Sequence, residues 1–174
     1  MTEQNKSRAF LGFGGNIGEP LSHFRRARKQ LAADPHVTVV GASPLYRTPA
    51  IGGPAGQPDY LNAVVEVTTS LTPHQLLQLC QQIETDAGRS RDIHWGPRTL
   101  DIDLLLVGNL IIDDSQLTLP HPRLQERHFV LLPLNNLAPQ LRHPITTKTI
   151  AELLADLPPA EGISQLNKKW SSDD

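Results

Sequence analysis

The sequence predicts an α+β fold, in which one antiparallel sheet carries helices on one face. Three observations predict it. The patterns alternate along the chain in the order β-α-β-β-α-β. The apolar spacing changes from period two in the strand segments to about 3.6 in the helical ones. Glycine and proline cluster between the segments, where the chain must reverse. This order is that of the split βαβ, ferredoxin-like plan, and further elements follow at the C-terminus.

Each element of the first half follows from a local pattern. An apolar run at 8–14 predicts the first strand, and a proline at a first helical position opens the amphipathic helix 20–34. Residues 37–46 and 60–70 alternate between apolar and polar side chains, which predicts the second and third strands. The Gly- and Pro-rich residues 47–59 between them predict a loop.

The second half predicts further strands and helices. Thr72 and Pro73 are the pairing expected at an N-cap and a first helical position, and Gly88 is a typical C-terminal stop, so we expect a helix between them. The remaining elements are, in order, a polar loop at 89–98, a strand at 100–108, a short hairpin strand at 110–114, and helices at 126–137 and 149–157.

Composition excludes several classes of protein. The 174 residues are 39% hydrophobic and carry a formal net charge of −2, so no overall basic field points to nucleic acid. The single cysteine, Cys80, lies in a helical pattern and is expected to pack as a small apolar side chain. No signal peptide or membrane-length apolar run is apparent, which favours a cytoplasmic protein. We expect a single domain over residues 1–174, with 1–7 and 159–174 loosely ordered.

A glycine-rich segment near the N-terminus, LGFGGNIGEP, invites a nucleotide-binding interpretation. The dinucleotide template G-x-G-x-x-G fails, because after Gly12 and Gly14 the third glycine falls at Gly18, one position too late. The Lys-Ser/Thr of a Walker A loop is missing as well. We therefore interpret the segment as a structural turn, in which glycines supply backbone angles that other residues disfavour.

The strand at 100–108 begins with two carboxylates, in the segment WGPRTLDIDLLLV. Alternate side chains of a strand share a face, so Asp101 and Asp103 point the same way, about 7 Å apart at Cα, while Ile102 and Leu104 point to the apolar layer. Two like charges repel each other unless a cation intervenes, and Mg²⁺ prefers such oxygen ligands. Taken alone, the pair is more simply a solvated feature of an edge strand.

Basic side chains near the aspartates favour a phosphate site instead. The loop just before them contains Arg89, Arg91, His94 and Arg98. Arginine donors beside metal-binding carboxylates make a site for a polyphosphate. A second group further along contains His121, Arg123, Arg127 and His128. For each member of that second group, a structural or solvated role is as plausible as a contact with phosphate.

Several blocks of the sequence together resemble one enzyme family. GPRTLDIDLLL resembles the signature of the 6-hydroxymethyl-7,8-dihydropterin pyrophosphokinases (HPPK). The blocks LYRTPAIGGPAGQPDYLNAVVEVTTSL, QQIETDAGRSR and LTLPHPRLQERHFVLLPL resemble that family's blocks in the same order, and LGFGGNIG resembles its N-terminal turn. The resemblance runs from about residue 9 to about residue 140. It implies a ferredoxin-like fold and an enzyme that transfers pyrophosphate from ATP to the hydroxymethyl group of a reduced pterin, giving AMP, in folate biosynthesis.

The resemblance also implies roles for individual residues. Asp101 and Asp103 would hold two Mg²⁺ ions that bridge the phosphates of ATP, and Arg89 and Arg98 would stabilise charge on the group in transfer. The positions that match the surroundings of the nucleotide are Gln81, Glu84, Arg91, Thr118, His121 and Arg127. The positions that match the pterin pocket are Thr48, Pro49, Ile51, Asn62 (which reads the pterin edge), Trp95, and the stacking rings Tyr60 and Phe129.

The sequence departs from the family's pattern at four positions. These are Asp92, where some members carry lysine, His94, where arginine is frequent, Gln116, where others have a basic residue, and Gly15, in place of the turn serine. Because most of them surround the phosphates, the differences concern the phosphate contacts and not the reaction.

Alternative functions stay open from the residues alone. A metal-dependent nucleotide hydrolase on the same site would release phosphate from ATP without a pterin. A regulatory domain would bind pterin or nucleotide and form no AMP. An RNA-binding module is disfavoured, because the strands lack the aromatic RNP pattern and the net charge is negative. We expect a monomer whose partners are ATP and the pterin, with neither nucleic acid nor membrane bound.

Overall fold

The computed structural model describes residues 5–16, 19–49, 58–88, 99–167 and 170. The strands in these residues are β1 (Ser7–Gly15), β2 (Val37–Ala42), β3 (Leu45–Thr48), β4 (Tyr60–Thr69), β5 (Asp101–Val107), β6 (Ile112–Asp113), β7 (Thr118–Leu119) and β8 (Ser164–Leu166). The helices are α1 (Pro20–Ala33), α2 (Pro73–Asp86), α3 (His128–Leu137) and α4 (Ile150–Asp156), and a 3-10 turn at Leu124–Glu126 precedes α3. None of the helices described is long and apolar enough to cross a membrane.

The main sheet is antiparallel and has β1 near its centre. β1 pairs with β5 on one side and with β4 on the other. β2 and β3 both pair with β4, one after the other along its length, and β8 pairs with the outer edge of β3. The path across the sheet is therefore β5-β1-β4-β3-β8, and β6 with β7 forms a separate two-stranded sheet. The predicted α+β class, with an antiparallel sheet, is confirmed.

Helices cover both faces of the sheet, so the expectation of helices on one face is wrong. On the first face, α1 and α2 contribute the buried residues Phe24, Leu31, Leu76 and Ile83 to a core that also contains Phe13 of β1. On the second face, α3 and α4 contribute Val130, Leu131, Leu134, Ile150 and Leu153. These helices follow the βαββαβ unit, and their apolar side chains need a surface to cover, which the second face provides.

The helix predicted after Thr72 is confirmed, and its first turn shows why it begins there. The Thr72 hydroxyl accepts the N–H of Gln75, while the Gln75 side chain accepts the N–H of Thr72. This reciprocal capping box satisfies two backbone donors that the helix leaves unpaired. Gly88 follows with a positive φ of 78°, the conformation expected at a helix C-terminus.

The second predicted strand, 37–46, is two strands in the structure. The break falls at Ser43 and Pro44, because Pro44 has no N–H for the ladder. The Ser43 hydroxyl takes over one ladder bond by accepting the N–H of Val64 at 2.8 Å. β3 then continues to Thr48, beyond the predicted start of the loop, so Thr48 belongs to the sheet.

The expectation of a loosely ordered tail is wrong where the structure describes it. Residues 164–166 form β8, and Trp170 is only 2% exposed. The Trp170 ring lies 6.0 Å from the ring of Phe13 and 5.7 Å from that of Phe24, and its Nε1–H donates to the Ser43 carbonyl at 2.8 Å. Burying a large apolar ring whose N–H has an acceptor is favourable, and this burial holds Trp170 against the core. The single-domain assignment stays a prediction.

Candidate active site

The aspartates, two glycines and an asparagine share one face of the main sheet. Asp103 of β5 lies opposite Gly12 of β1, and Asp101 lies opposite Gly14. On the other side of β1, Gly14 lies opposite Asn62 of β4. Directly opposed residues of an antiparallel pair point to the same face. Asp101, Gly14 and Asn62 therefore form a row across three strands, which we call the glycine row.

Gly12 and Gly14 lie in a strand and not in a turn, and their missing side chains leave room on one face of that strand. Gly12 and Gly14 lie inside β1, and neither has a positive φ, so the turn interpretation is wrong for them. A Cβ on Gly14 would lie 3.3 Å from Asn62 Oδ1, and a Cβ on Gly12 would lie 3.4 Å from Leu105 Cδ2. On the glycine row, then, no side chain stands between the aspartate and the amide. Gly18, the third glycine of the segment, lies outside the described residues.

The aspartate pair has the arrangement that the period of the strand predicts. Asp103 is exposed and Asp101 is half-buried, while Ile102 and Leu104 point to the first core and are each 4% exposed. β5 is the end strand of the main sheet. The apolar side chains anchor the strand, and the carboxylates are left on the face that carries the glycine row.

Glu84 supports the aspartate strand from α2. Its carboxylate is buried, and its Oε2 accepts the N–H of Ile102 at 2.8 Å, between the two aspartates. Gln81, one turn earlier on the same helix, is exposed. The nucleotide contact inferred for Glu84 stays a prediction, but the structure gives this side chain a role in holding β5. The sequence contained no signal for that role.

Cys80 is buried beside this arrangement. Burial raises the pKa of its thiol, and the negative charges of Glu84 and Asp103 raise it further. The thiol stays protonated at neutral pH, so it packs as an apolar side chain, as predicted, and offers no nucleophile.

At the far end of the glycine row, Asn62 is fixed by β3. Its Nδ2 donates to the Thr48 hydroxyl at 2.8 Å, and both side chains are buried. Tyr60, at the start of β4, lies opposite Thr48 and is half-buried. Pro49 follows Thr48 and is exposed. These four predicted pterin residues are therefore brought together at one end of β3 and β4.

The buried Asn16 was missed by the sequence analysis. It follows β1 directly, is 3% exposed, and its Nδ2 donates to the Pro58 carbonyl at 3.1 Å. The bond ties the end of β1 to the residues that lead into β4. A single asparagine in a glycine-rich segment carries no local signal for such a bond.

Phe129 and Arg127 lie together at the start of α3. The Phe129 ring is half-buried, and the Arg127 guanidinium lies over it, 5.4 Å from the ring centroid. Cation–π contact of this kind orients both side chains. A residue matched to the nucleotide site and one matched to the pterin site are thus in direct contact.

His121 lies against the aspartate strand. Its backbone N–H donates to the backbone carbonyl of Leu105 in β5 at 2.9 Å. Burial lowers the pKa of its imidazole, the Asp103 charge raises it, and the charges of Arg127 and Arg123 lower it. Asp103, His121 and Arg127 are therefore within electrostatic reach of one another. Thr118, in β7, is half-buried three residues earlier.

The remaining predicted site residues lie outside the described residues, and their roles stay predictions. They are Ile51, Arg89, Arg91, Trp95 and Arg98. The variant positions Asp92 and His94 lie outside as well.

The described part of the chain contains no group of three or more histidine, cysteine, aspartate or glutamate side chains set to hold a metal ion. The two aspartates nevertheless fit Mg²⁺, which is commonly held by one or two carboxylates and completes its shell with substrate phosphates and water.

Comparison with known proteins decides the family. Residues 10–139 match the family model described as 7,8-dihydro-6-hydroxymethylpterin-pyrophosphokinase (HPPK). The chain belongs to this family. It is 45% identical over 154 residues to a 2-amino-4-hydroxy-6-hydroxymethyldihydropteridine pyrophosphokinase of Methylorubrum extorquens, covering 88% of this chain and 96% of the relative. It is 43% identical over 159 residues to the Pseudomonas aeruginosa enzyme of the same name, covering 91% of this chain and 96% of that enzyme.

A solved structure agrees in fold. The crystal structure of Plasmodium falciparum HPPK-DHPS wild type with pterin and p-hydroxybenzoate superposes with a TM-score of 0.68 at 16% identity, over 89% of this chain and 44% of that one. The family identification made from the motifs is confirmed. The chain is a pyrophosphokinase, an enzyme that transfers a diphosphate group and uses ATP as co-substrate.

Proposed function

We propose that the glycine row is where this HPPK-family enzyme brings its two substrates together, with the ATP phosphates at Asp101 and the pterin at Asn62. The two terminal phosphates of ATP pass as pyrophosphate to the hydroxymethyl oxygen of 6-hydroxymethyl-7,8-dihydropterin, and AMP leaves. The observation that carries the proposal is the register Asp101–Gly14–Asn62. Neighbouring strands are about 4.8 Å apart, so the outer members of the row are roughly 10 Å apart at Cα.

The chemistry of the Asn62 end supports the pterin assignment. A flat heterocycle needs aromatic faces for stacking and polar groups along its edge. Asn62 donates one side-chain N–H to Thr48, so its second N–H and its Oδ1 can form hydrogen bonds with the edge of a pterin. Tyr60 and Phe129, both half-buried, supply the stacking rings. Thr48, Pro49, Ile51 and Trp95 complete the proposed pocket.

The chemistry of the other end supports the nucleotide assignment. We assign two Mg²⁺ ions to Asp101 and Asp103, whose carboxylates would hold them; bound there, the ions would supply positive charge against the phosphates. The two carboxylates share a face of the sheet, and carboxylate oxygens are ligands that Mg²⁺ prefers. The other residues assigned to the nucleotide are Gln81, Glu84, Arg91, Thr118, His121 and Arg127.

His121 acts as a neutral donor in this proposal. Its Nδ1 accepts the N–H of Arg123 at 3.3 Å, so the neutral ring carries its proton on Nε2. Burial lowers its pKa, which keeps the ring neutral near pH 7. The Nε2–H can therefore donate to a phosphate oxygen without adding charge beside Arg127.

Transfer itself depends on positioning and charge. We assign Arg89 and Arg98 to the phosphoryl group in transfer, where an arginine can be worth roughly 10³–10⁵ in rate. The hydroxymethyl oxygen attacks the β-phosphorus, and the residues of the two ends hold the reacting atoms in line. We assign no general base among the described residues.

Mixing the protein with Mg-ATP and 6-hydroxymethyl-7,8-dihydropterin tests the proposal, with AMP and the pterin pyrophosphate as products measured by chromatography. Asp101→Asn and Asp103→Asn should each lower turnover by at least about 10³-fold, because each removes a carboxylate that would hold Mg²⁺ against the phosphates. Asp113→Asn, an exposed aspartate of β6, is the matched control and should keep wild-type turnover.

Other outcomes point to the alternatives. Phosphate release from ATP without a pterin would favour a nucleotide hydrolase, and binding without AMP would favour a regulatory domain. Normal turnover in either aspartate variant would overturn the assignment of the phosphate end.

We also propose that the enzyme is a cytoplasmic monomer with a ferredoxin-like core. The order β5-β1-β4 followed by β2 and β3, with α1 and α2 on one face, supports the ferredoxin-like plan. Light scattering at micromolar concentration tests the oligomeric state, and a mass of twice the 19.2 kDa chain would contradict it.

A further inference from the structure

The C-terminal strap, residues 158–167 with Trp170, lies outside the segment that matches the family model, which ends at residue 139. Most of its described contacts involve β3, the residue that follows β3, and the first residue of α3. The Trp170 ring packs instead on Phe13 of β1 and Phe24 of α1, in the core on the face opposite the glycine row. The aspartates of β5 lie at the opposite end of the main sheet.

Along β3, the strap acts as a neighbouring strand. β8 pairs with β3 in the register Leu45 to Leu166, Tyr46 to Gln165 and Arg47 to Ser164. Without β8, β3 would be a four-residue edge strand, a short element that is weakly held by one partner alone. β3 carries Thr48, whose hydroxyl fixes Asn62.

Two side chains fasten the strap further. Trp170 donates its Nε1–H to the carbonyl of Ser43, just before β3. Gln165 Oε1 lies 3.3 Å from the hydroxyl of Tyr46, which also donates to Asn136 Oδ1 of α3. The strap, β3 and α3 are thus joined by hydrogen bonds, and α3 is the helix that carries Phe129.

The beginning of the strap is tied to the start of α3. The Nε2–H of His128 donates to the carbonyl of Pro158 at 2.6 Å. His128 directly precedes Phe129, one of the proposed stacking rings. The carbonyl contact therefore restrains the backbone from which that ring projects.

At Gly162 the strap passes beside Pro49. Gly162 has a φ of 73°, and a Cβ at this position would lie 2.9 Å from Pro49 Cγ. Cβ atoms are essentially never found at such a distance, so a side chain at this position would force Pro49 or the strap to shift. Pro49 directly follows Thr48 and is itself assigned to the pterin pocket.

We propose that the C-terminal strap is a positioning element for the pterin pocket. It fixes the distance between Phe129 of α3 and the end of β3, where Thr48 and Pro49 lie. The inference rests on the proposed function, because it takes those residues as the pterin pocket. It assigns no contact with substrate to the strap. Its consequence is selective: loosening the strap weakens pterin binding and leaves nucleotide binding unchanged.

Gly162→Ala tests the proposal, and Gly108→Ala is its matched control. Both glycines have a positive φ, 73° and 52°, so both substitutions strain the backbone. Only Gly162 has a neighbour within reach, because nothing lies within 4 Å of a Cβ at Gly108. Any difference between the two variants therefore reports the contact with Pro49.

Calorimetric titration supplies the readout. The pterin is titrated into protein saturated with Mg²⁺ and α,β-methylene-ATP. The methylene bridge between the α- and β-phosphorus of this analogue cannot be cleaved, so no transfer occurs. Gly162→Ala should weaken the pterin Kd roughly tenfold, because displacing Pro49 moves the rim by a few tenths of an ångström or more. The nucleotide Kd should stay within about twofold, and Gly108→Ala should change neither Kd by more than about twofold.

A second variant keeps the test decisive if Gly162→Ala fails to fold. His128→Ala removes the bond to Pro158 without inserting an atom, and it should also weaken the pterin Kd more than the nucleotide Kd. If a folded Gly162→Ala or His128→Ala variant binds both ligands as the wild type does, or loses both equally, the proposal is overturned while the proposed function stands. If the wild-type protein binds no pterin, both fall together.

Discussion

One face of β1 packs into an aromatic core, while its other face carries glycines beside polar side chains. On one side Phe13 packs against Phe24 at 5.5 Å and against Trp170 at 6.0 Å, and each of the three rings is at most 2% exposed. On the other side, Gly12 and Gly14 carry no side chain, and the nearest polar groups are the aspartates of β5 and Asn62.

The difference teaches how one strand serves both stability and chemistry. Because side chains alternate, filling one face and leaving the other open needs only a bulky residue at every second position and a glycine between. Glycine weakens a strand interior, so the open face is maintained at a cost in stability. The aromatic packing of the opposite face offsets that cost.

The largest expected effect is on the filled face. Phe13→Ala should lower the free energy of unfolding by about 3–5 kcal/mol, because it removes a buried ring and leaves a cavity beside Phe24 and Trp170. Urea unfolding followed by circular dichroism measures it. The nucleotide Kd of the folded fraction should change little, and a loss of nucleotide binding with unchanged stability would contradict the division between the two faces.

The next effect is on the open face. Gly14→Val should lower turnover by roughly 10²-fold, because a side chain at this position meets Asn62 Oδ1 and fills the space between the two substrates. Gly41→Val, in β2, is the matched strand-glycine control: a Cβ there makes only an ordinary 3.7 Å contact with Leu137. Steady-state kinetics at saturating ATP measures both variants. Wild-type turnover in Gly14→Val would show that the open row is not used.

A smaller loss of stability is expected at Trp170, whose hydrogen bond fastens the end of the chain to the filled face. Trp170→Phe keeps most of the aromatic packing but leaves the buried carbonyl of Ser43 without its donor, at a cost of about 1–2 kcal/mol. Thermal unfolding measures the change. A melting temperature equal to that of the wild type would show that the Trp170 ring, and not its hydrogen bond, holds the end of the chain.

The smallest expected effect is a loss of folding stability at acidic pH, to which two histidines contribute. Burial lowers the pKa of His121 and of His143, which lie in the connections before and after α3, below the ordinary value of about 6.5. The unfolded chain then binds more protons than the folded one as the pH falls through 6.5, so stability is full above that pH and declines below it.

His143→Asn tests this sign. The His143 Nδ1 accepts the N–H groups of Ile145 and Thr146, and the Oδ1 of asparagine, which lies as many bonds from the backbone, can also accept them. The variant should lose less stability than the wild type between pH 7.5 and pH 5.5, measured by chemical unfolding at each pH. An identical decline in both proteins would assign the pH response to other groups.

Local patterns in the sequence predicted the longer elements because those elements depend on local causes. The capping box at Thr72 and the helical spacing around Phe24 depend on neighbours within one or two turns. β8 could not be predicted, since its three residues are mostly polar and are ordered by pairing with β3, more than a hundred residues earlier. The burial of Trp170 has the same non-local cause.

The site was predicted in part for the same reason. The period of a strand is enough to place Asp101 and Asp103 on one face, and the family resemblance supplied their partners. The register that sets Gly14 between Asp101 and Asn62 joins three strands that are far apart in sequence, and no local pattern encodes it. The same holds for Glu84, whose bond to Ile102 joins α2 to β5.

The most direct test of the glycine row is a distance between its two ends in the assembled complex. Mn²⁺ replaces Mg²⁺ in the complex with α,β-methylene-ATP and the pterin, and the relaxation of the pterin protons is measured by NMR. With the ends roughly 10 Å apart, the account predicts strongly enhanced relaxation that is lost in Asp101→Asn/Asp103→Asn. Pterin that binds fully but relaxes no faster with Mn²⁺ than with Mg²⁺ would contradict it.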